Sequence, residues 1–202
     1  MTVEESLDHA VAVMTERGVG GLTVSEVARR MGVRGPSLYK YFPSLHAMYD
    51  ALFARGLREQ ERSVRAAAEG RPPGVTRVRA TARAVVEWSV ANPALAQLLF
   101  WRPVPGFEPS PAVFATSRAQ MDEAHADLAA AVARGQLAAR ADGPDAVALL
   151  TVVLGGVISQ QLANEPGVPF ESGAFSRLTD DAIDMFLTRY RPQGADHADT
   201  RP

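Results

Sequence analysis

Three short helix signals lie close together in the first quarter of the chain, and this spacing restricts the fold more than any other feature. Residues 2–5 and 23–26 both read Thr-Val-x-Glu, which is the form of a capping box at the start of a helix. Pro36 suits the first turn of a third helix, and Pro43 ends that helix. The sequence therefore predicts three short helices joined by tight turns.

The second and third predicted helices are joined by about four residues, an arrangement typical of the helix-turn-helix that reads DNA. The whole chain has a net charge of −2, but the segment between Val27 and Tyr49 contains no Asp or Glu. The basic or titratable residues of this segment are Arg29, Arg30, Arg34, Lys40 and His46. We therefore expect a local basic patch that grips phosphates, while the start of the third helix reaches base edges.

The same segment resembles the signature of the TetR family of transcriptional regulators. The resemblance is carried by Leu22-Thr23-Val24, Val27-Ala28, Gly32-Val33 and the run Pro-Ser-Leu-Tyr-Lys-Tyr-Phe-Pro-Ser at 36–44. It implies an all-α, TetR-like fold with a three-helix N-terminal helix-turn-helix domain and a larger helical C-terminal domain for ligand binding and dimerisation. It also implies a repressor that binds a palindromic double-stranded DNA operator as a homodimer and is released by a small-molecule inducer.

The resemblance assigns roles to particular residues of this chain. The residues implied to contact phosphates are Thr23, Ser25, Tyr39, Lys40 and His46. The residues implied to lie nearest the bases are Arg34, Gly35, Ser37 and Tyr41. Leu38 and Phe42 are assigned to packing.

Several of these assignments have a structural alternative. Thr23 is required as an N-cap, and Tyr39 could belong to the core with only its hydroxyl at the surface. Arg29 and Arg30 could form a solvated helix face. Leu45 stands where many family members have a lysine, so the alternative function is a helical ligand-binding or protein-interaction adaptor that has lost specific DNA binding.

The rest of the chain predicts a larger helical domain. Helices are expected from Ser44 onward and at 75–91, 93–101, 110–134, 142–164 and 172–191, between breaks that contain proline or glycine. The sequence therefore predicts a DNA-binding domain at 1–46, a ligand-binding and dimerisation domain at 47–191, and a disordered tail at 192–202.

A ligand-responsive domain needs a cavity lined by apolar and aromatic side chains with a few polar groups. The candidate lining residues are Trp88, Phe100, Trp101, Phe107, Phe114, Met121, His125 and Gln160. The alternative is that Trp88, Phe100 and Met121 are ordinary core, whereas the two polar members would each need a partner if buried. The loop at 102–111 contains four prolines and either caps the cavity or acts as a rigid connector.

Apolar stripes on the last two predicted helices resemble a four-helix dimer interface. The candidate interface residues are Val147, Leu150, Leu154, Val157, Leu178, Ile183, Phe186 and Leu187. Gly155 and Gly156 would allow close backbone approach. The competing interpretation is that these stripes belong to the internal core.

The sequence also argues against several other classes of protein. It has no cysteine and four scattered histidines, so it offers no disulfide, thiolate site or metal-ligand spacing. No Ser-His-Asp order, Gly-rich phosphate loop or HExxH motif appears, so neither an enzyme nor a cofactor or metal is expected. The N-terminus lacks the features of a signal peptide, and the apolar stretch at 146–157 is too short to span a bilayer. We therefore expect a cytoplasmic protein with no membrane partner.

Overall fold

The computed structural model describes residues 2–192, which form α-helices, short 3-10 turns and loops and contain no β-strand. The α-helices are α1 (Val3–Arg17), α2 (Val24–Arg30), α3 (Gly35–Tyr39), α4 (Leu45–Ala68), α5 (Val75–Ala91), α6 (Pro93–Trp101), α7 (Pro111–Ala133), α8 (Pro144–Asn164) and α9 (Thr179–Arg189). The predicted all-α fold is confirmed. The tail predicted to be disordered lies, apart from Pro192, outside the described residues.

The chain forms two compact units, and they do not follow the division at residue 46 drawn from the sequence. The first unit comprises the chain up to Glu59 together with Asn92–Ser117. The second unit comprises Gln60–Ala91 and the chain from Arg118 onward. As a result, α6 and the first turns of α7 belong to the same unit as the N-terminal helices.

The first unit is built on well-capped short helices around an apolar core. The capping box of α1 is complete, because Thr2 Oγ1 accepts from the Glu5 amide at 3.1 Å and the Glu5 carboxylate accepts from the Thr2 amide at 2.6 Å. The side chains that fill the core with at most 1% exposure include Leu7, Met14, Val27, Leu38, Tyr49 and Leu52. The Tyr49 hydroxyl donates to the Val19 carbonyl at 2.6 Å, and burial raises the pKa of Tyr49. These contacts fix α4 against the turn that precedes α2.

The proline-containing loop at 102–111 is anchored within the first unit. Phe107 is 5% exposed, and the centroid of its ring lies 5.6 Å from that of Tyr49 and 6.3 Å from that of Phe53. The Asp50 carboxylate accepts from the Ser110 amide at 2.7 Å. The loop is therefore a connector held against α4. Phe107, predicted to line a ligand cavity, is instead a core residue of this unit.

In the second unit, α5, α8 and α9 pack against one another. Arg83 on α5 makes ion pairs with Asp180 at 2.6 Å, Glu87 at 2.7 Å and Glu171 at 2.9 Å. Its guanidinium also lies 4.7 Å from the centroid of the Phe170 ring. Arg83 thus joins α5 to the start of α9 and to the turn before it.

Burial corrects part of the predicted dimer interface. Ile183 and Phe186 are 0% and 2% exposed, and the other members that are buried within the protomer are Leu150, Leu154 and Leu187. Ile183 and Phe186 leave almost no surface for a partner, whereas Leu150, Leu154 and Leu187 each keep 7–8% of theirs, so these five side chains pack mainly within the protomer. Val147 and Val157 are half-buried, and Leu178 is exposed.

The two glycines of α8 do not mediate a close approach within the protomer. A Cβ atom added at Gly155 or Gly156 would meet nothing within 4 Å among the described residues. The large apolar side chains that α8 and α9 leave exposed are Val152, at 68%, and Met185, at 75%.

The final predicted helix is shorter in the structure than the 172–191 expected from the sequence. The Gln161 side-chain oxygen accepts from the amides of Phe175 and Ser176 at 3.2 and 3.0 Å. Since these amides bond to a side chain on α8, the segment forms two 3-10 turns, Phe170–Ser172 and Ser176–Leu178, before α9 begins.

By length and composition alone, α8 would pass as a membrane-crossing helix, and it is the one such helix in the described part of the chain. Core helices of soluble proteins meet the same criterion, and α8 packs against both α5 and α9.

Candidate nucleic-acid interface

The short helix α3 lies at the surface of the first unit, with one side turned inward. Arg34 precedes its first turn in an extended conformation, and Pro36 occupies that turn. Leu38 is 0% exposed and Phe42, just beyond the helix, is 3% exposed, which confirms that both are packing residues. The helix therefore presents its remaining side chains to solvent.

The residues predicted to contact DNA lie together in this unit and are accessible. The exposed members are Thr23, Ser25, Arg34, Ser37, Tyr39, Lys40, Tyr41 and His46. Gly35 is half-buried. Tyr39 is 52% exposed, which contradicts the alternative that places its ring in the core. Lys40 Nζ lies 5.9 Å from the centroid of the Tyr41 ring, so a cation and an aromatic ring stand side by side at the end of α3.

The start of α2 differs from the predicted capping box. Thr23 Oγ1 accepts from the Glu26 amide at 3.2 Å, so Thr23 is the N-cap as expected. The reciprocal half of the box is not formed, because the Glu26 carboxylate is bonded to arginines instead. The cap of α2 thus uses one hydrogen bond and leaves the Glu26 side chain for an ion-pair cluster.

The Glu26 cluster joins α1 to α2. The Glu26 carboxylate is 2.7 Å from Arg29 Nη2, 3.0 Å from Arg30 Nε and 3.0 Å from Arg17 Nη2. Arg30 also donates to Glu16 at 2.8 Å. The hydrogen bonds from Arg29 and Arg30 lower the pKa of Glu26 to about 2, so the carboxylate stays ionised at neutral pH.

These pairings make the predicted basic patch smaller. Arg17, Arg29 and Arg30 share the two carboxylates of Glu16 and Glu26, so two of their three positive charges are neutralised within the unit. This supports the alternative in which Arg29 and Arg30 form a helix face and do not contact DNA. Arg34, Lys40 and His46 remain as the exposed basic or titratable groups around α3. The sequence does indicate part of this cluster, because Glu26 precedes Arg29 by three and Arg30 by four residues, a spacing that allows ion pairs on one helix face.

The predicted ligand-contacting residues are distributed over both units. In the first unit, Phe100, Trp101 and Phe114 are 36%, 42% and 42% exposed, and the ring centroids of Phe100 and Trp101 are 5.7 Å apart. In the second unit, Trp88 is 7% exposed and Met121 is 43% exposed.

The two polar candidates are not buried groups that lack a partner. His125 Nε2 lies 2.9 Å from Asp142 Oδ1, and about half of each side chain is accessible. Gln160 is exposed, and its backbone and side-chain oxygens accept from Asn164 Nδ2 at 2.9 and 3.2 Å. Neither His125 nor Gln160 is therefore a buried polar group that needs a ligand as its partner.

The chain matches two protein-family models. Residues 7–52 match the model described as bacterial regulatory proteins, tetR family. Residues 78–186 match the model described as tetracyclin repressor-like, C-terminal domain. The first match reaches from within α1 to the beginning of α4, and the second reaches from α5 into α9.

The chain is also similar to an individual transcriptional regulator. Over 100 residues the chain is 30% identical to the HTH-type transcriptional regulator Rv1816 of Mycobacterium tuberculosis, an alignment that covers 48% of this chain and 43% of that protein. The chain thus matches less than half of the length of that relative.

Two solved structures share the fold over nearly the whole chain. The transcriptional regulator FadR from Bacillus subtilis, in complex with stearoyl-CoA, aligns with a TM-score of 0.77 at 14% identity, covering 93% of this chain and 98% of that one. A protein of unknown function from Rhodococcus sp. RHA1 aligns with a TM-score of 0.74 at 23% identity, covering 94% and 95%.

Proposed function

The chain belongs to the TetR family of bacterial transcriptional regulators, and from this premise we propose that it is a repressor that binds a palindromic operator as a homodimer and is released by a small molecule. We further propose that it acts in the cytoplasm, where the DNA is, and that it has no enzymatic activity. The observation that carries the proposal is the exposure of α3, since a reading helix must be accessible to enter a major groove.

The residues around α3 support separate roles in affinity and specificity. Lys40, Tyr39, Thr23, Ser25 and His46 are proposed to bind phosphates, which positions the protein without reading sequence. The residues proposed to read bases are Arg34, Gly35, Ser37 and Tyr41. Arg34 and Ser37 lie at the N-terminal end of α3, the end that contacts base edges in a helix-turn-helix.

A homodimer would present two copies of α3 to one face of DNA. An isologous interface relates the two by a two-fold axis, so their separation must match one helical turn of about 34–36 Å or a multiple of it. A ligand that prefers a conformation with a different separation would shift the population away from DNA binding. The ligand-bound FadR structure supports this part of the proposal through the shared fold.

A gel-shift experiment with DNA from immediately upstream of the coding sequence tests the proposal. We expect retardation that survives an excess of unrelated duplex, because base contacts add to the phosphate grip. A matched protein with Ser37→Ala and Tyr41→Phe should keep the non-specific shift and lose the preference.

One alternative function has specific support, namely an adaptor without specific DNA binding. Leu45 occupies a position where a lysine is common in the family, and Arg29 and Arg30 are engaged in ion pairs with Glu26 and Glu16. If the upstream fragment and unrelated DNA are shifted equally, the adaptor is favoured and the repressor proposal fails.

A further inference from the structure

One buried polar side chain of the described chain differs from all the others. The buried polar or charged residues are Ser6, Glu26, Gln60, Ser89, Asp127, Gln161, Ser176 and Thr179. Apart from Gln60, each of them makes a side-chain hydrogen bond within the protein. Gln60 is 8% exposed, and its Nε2 has neither solvent contact nor a hydrogen-bond partner among residues 2–192.

Arg55 Nη1 is the other buried side-chain nitrogen in the described part of the chain that lacks a hydrogen bond of good geometry. It lies 2.6 Å from Asp8 Oδ1, so its charge is compensated by an ion pair. Gln60 has no such compensation. A buried amide that gives up its bonds to water and gains none in the protein lowers stability.

The position of Gln60 on α4 makes this residue more unusual. Phe53, Gly56 and Leu57 are buried and precede Gln60 at helical spacing on the same face of the helix. An apolar residue such as leucine or methionine would continue this stripe and would leave no donor without a partner. The sequence instead places an amide there, which is what a binding site for a polar group requires.

We propose that Gln60 is the orienting donor of the inducer site, with its Nε2 hydrogens donating to a carbonyl oxygen of an uncharged, largely apolar small molecule. This inference rests on the proposed function, because it assigns a residue and a ligand class to the ligand-responsive step. The side chain supplies donors where an acceptor oxygen of the ligand can replace water.

The charges of the second unit favour a ligand whose acceptor group is neutral. Among its described residues, the one buried charged side chain is Asp127, and Arg77 Nε donates to its carboxylate at 2.7 Å. No buried cation is therefore left there to compensate a ligand carboxylate or phosphate. A carbonyl oxygen accepts from Gln60 without bringing a charge into a buried position.

The first test compares two buried glutamines on the ligand-free protein. Gln60→Met removes an amide without a partner while it keeps length and helix propensity, so we expect the Tm to rise by about 2–4 °C. Gln161→Met is the matched control, because the Gln161 oxygen accepts from two backbone amides, and its Tm should fall. A fall in Tm for Gln60→Met would show that Gln60 has a structural partner, and it would overturn the proposal.

The second test uses matched probes in thermal denaturation without DNA. The probes are 2-undecanone, the hydrocarbon 2-methyl-1-undecene, in which C=CH2 replaces C=O, and undecanoate. We expect the ketone to raise the Tm of the wild type more than the other two, and this preference to disappear in Gln60→Met. Equal shifts for ketone and hydrocarbon, a larger shift for undecanoate, or an unchanged preference in the variant would overturn the proposal.

These outcomes are independent of operator binding. A wild type that prefers the ketone but shifts upstream DNA no better than unrelated DNA would contradict the repressor function and leave Gln60 as a ligand donor. A wild type that binds its operator while Gln60→Met loses stability would contradict the role of Gln60 alone.

Discussion

Lys40 is the only lysine of the chain, and it is exposed at the end of α3 beside the Tyr41 ring. If it binds a phosphate, Lys40→Ala should weaken binding to all duplexes by a similar factor. The slope of log K against log salt should fall by about one unit per lost contact in each protomer. Fluorescence anisotropy at several salt concentrations measures both.

Arg29→Gln is the control for Lys40→Ala. Because Arg29 is already paired with Glu26, its replacement should change the salt slope less than the replacement of Lys40. A loss of affinity by Lys40→Ala that depends on the DNA sequence would contradict a phosphate contact and indicate base reading instead.

Glu26 makes stability depend on pH in a defined direction. Its pKa is lowered from 4.5 to about 2, so the ionised carboxylate stabilises the fold fully above about pH 4.5. This contribution is lost as the pH falls through about 2. Glu26→Gln should therefore lower the Tm at pH 7, and its difference from the wild type should shrink between pH 4.5 and 2.

Thermal denaturation from pH 7 to pH 2 follows this difference. Glu61→Gln serves as the control, since Glu61 is partly exposed, its partner Arg65 is well exposed, and the loss of such a pair should change the Tm little. A Glu26→Gln difference that stays constant over the whole pH range would contradict the role of the charge.

The candidate nucleic-acid interface could be predicted from the sequence only where the local sequence pattern determines the structure. The helix-turn-helix spacing predicted that Ser37 on α3, and Lys40 and Tyr41 directly after it, are accessible. It could not show that Arg30 pairs with Glu16, because those residues are far apart in sequence and meet only when α1 packs on α2. Nor could it show that Gln60 has no partner, because that depends on every neighbour in three dimensions.

At the scale of the element, α3 is too short to be stable alone, since isolated helices need about 12–15 residues. It is held by Leu38, which is fully buried. Leu38→Ala should therefore lower the unfolding free energy by about 2–5 kcal/mol. Because α3 would no longer be held in place, the same variant should also lose DNA binding. Urea denaturation measures the free energy.

Tyr39→Ala provides the comparison on the same helix. Because Tyr39 is 52% exposed, its removal should leave the unfolding free energy nearly unchanged and weaken DNA binding. If Leu38→Ala were as stable as Tyr39→Ala, the packing that holds α3 in place would have to be different.

Helix positions followed from the sequence where prolines and glycines mark them. The bounds of α5 and α6 agree with the prediction, because Gly74 precedes the first and Pro93 starts the second. The prediction failed at 172–191, where the Gln161 side chain captures backbone amides from another segment. A local pattern cannot predict such a long-range hydrogen bond.

A regulator that reads a two-fold symmetric operator must act as a dimer. Met185 is 75% exposed on α9, more than any other large apolar side chain of the described residues, and is a candidate for the interface. Met185→Glu should shift the protein from dimer to monomer in sedimentation experiments and weaken operator binding, because an unpaired charge would enter an apolar contact.

Met121→Glu is the matched control, since Met121 is an exposed methionine on α7. It should remain a dimer at the same protein concentration. A Met185→Glu protein that also remains a dimer would place the interface elsewhere on the surface.

In vitro selection from a random duplex library shows whether the exposed α3 reads a two-fold symmetric DNA site. We expect enrichment of a palindromic motif whose half-site centres are about 10–10.5 base pairs or a multiple apart. The enriched motif should be lost when Ser37 and Tyr41 are replaced. A pool that stays unenriched, or a motif unaffected by those replacements, would contradict sequence reading by α3.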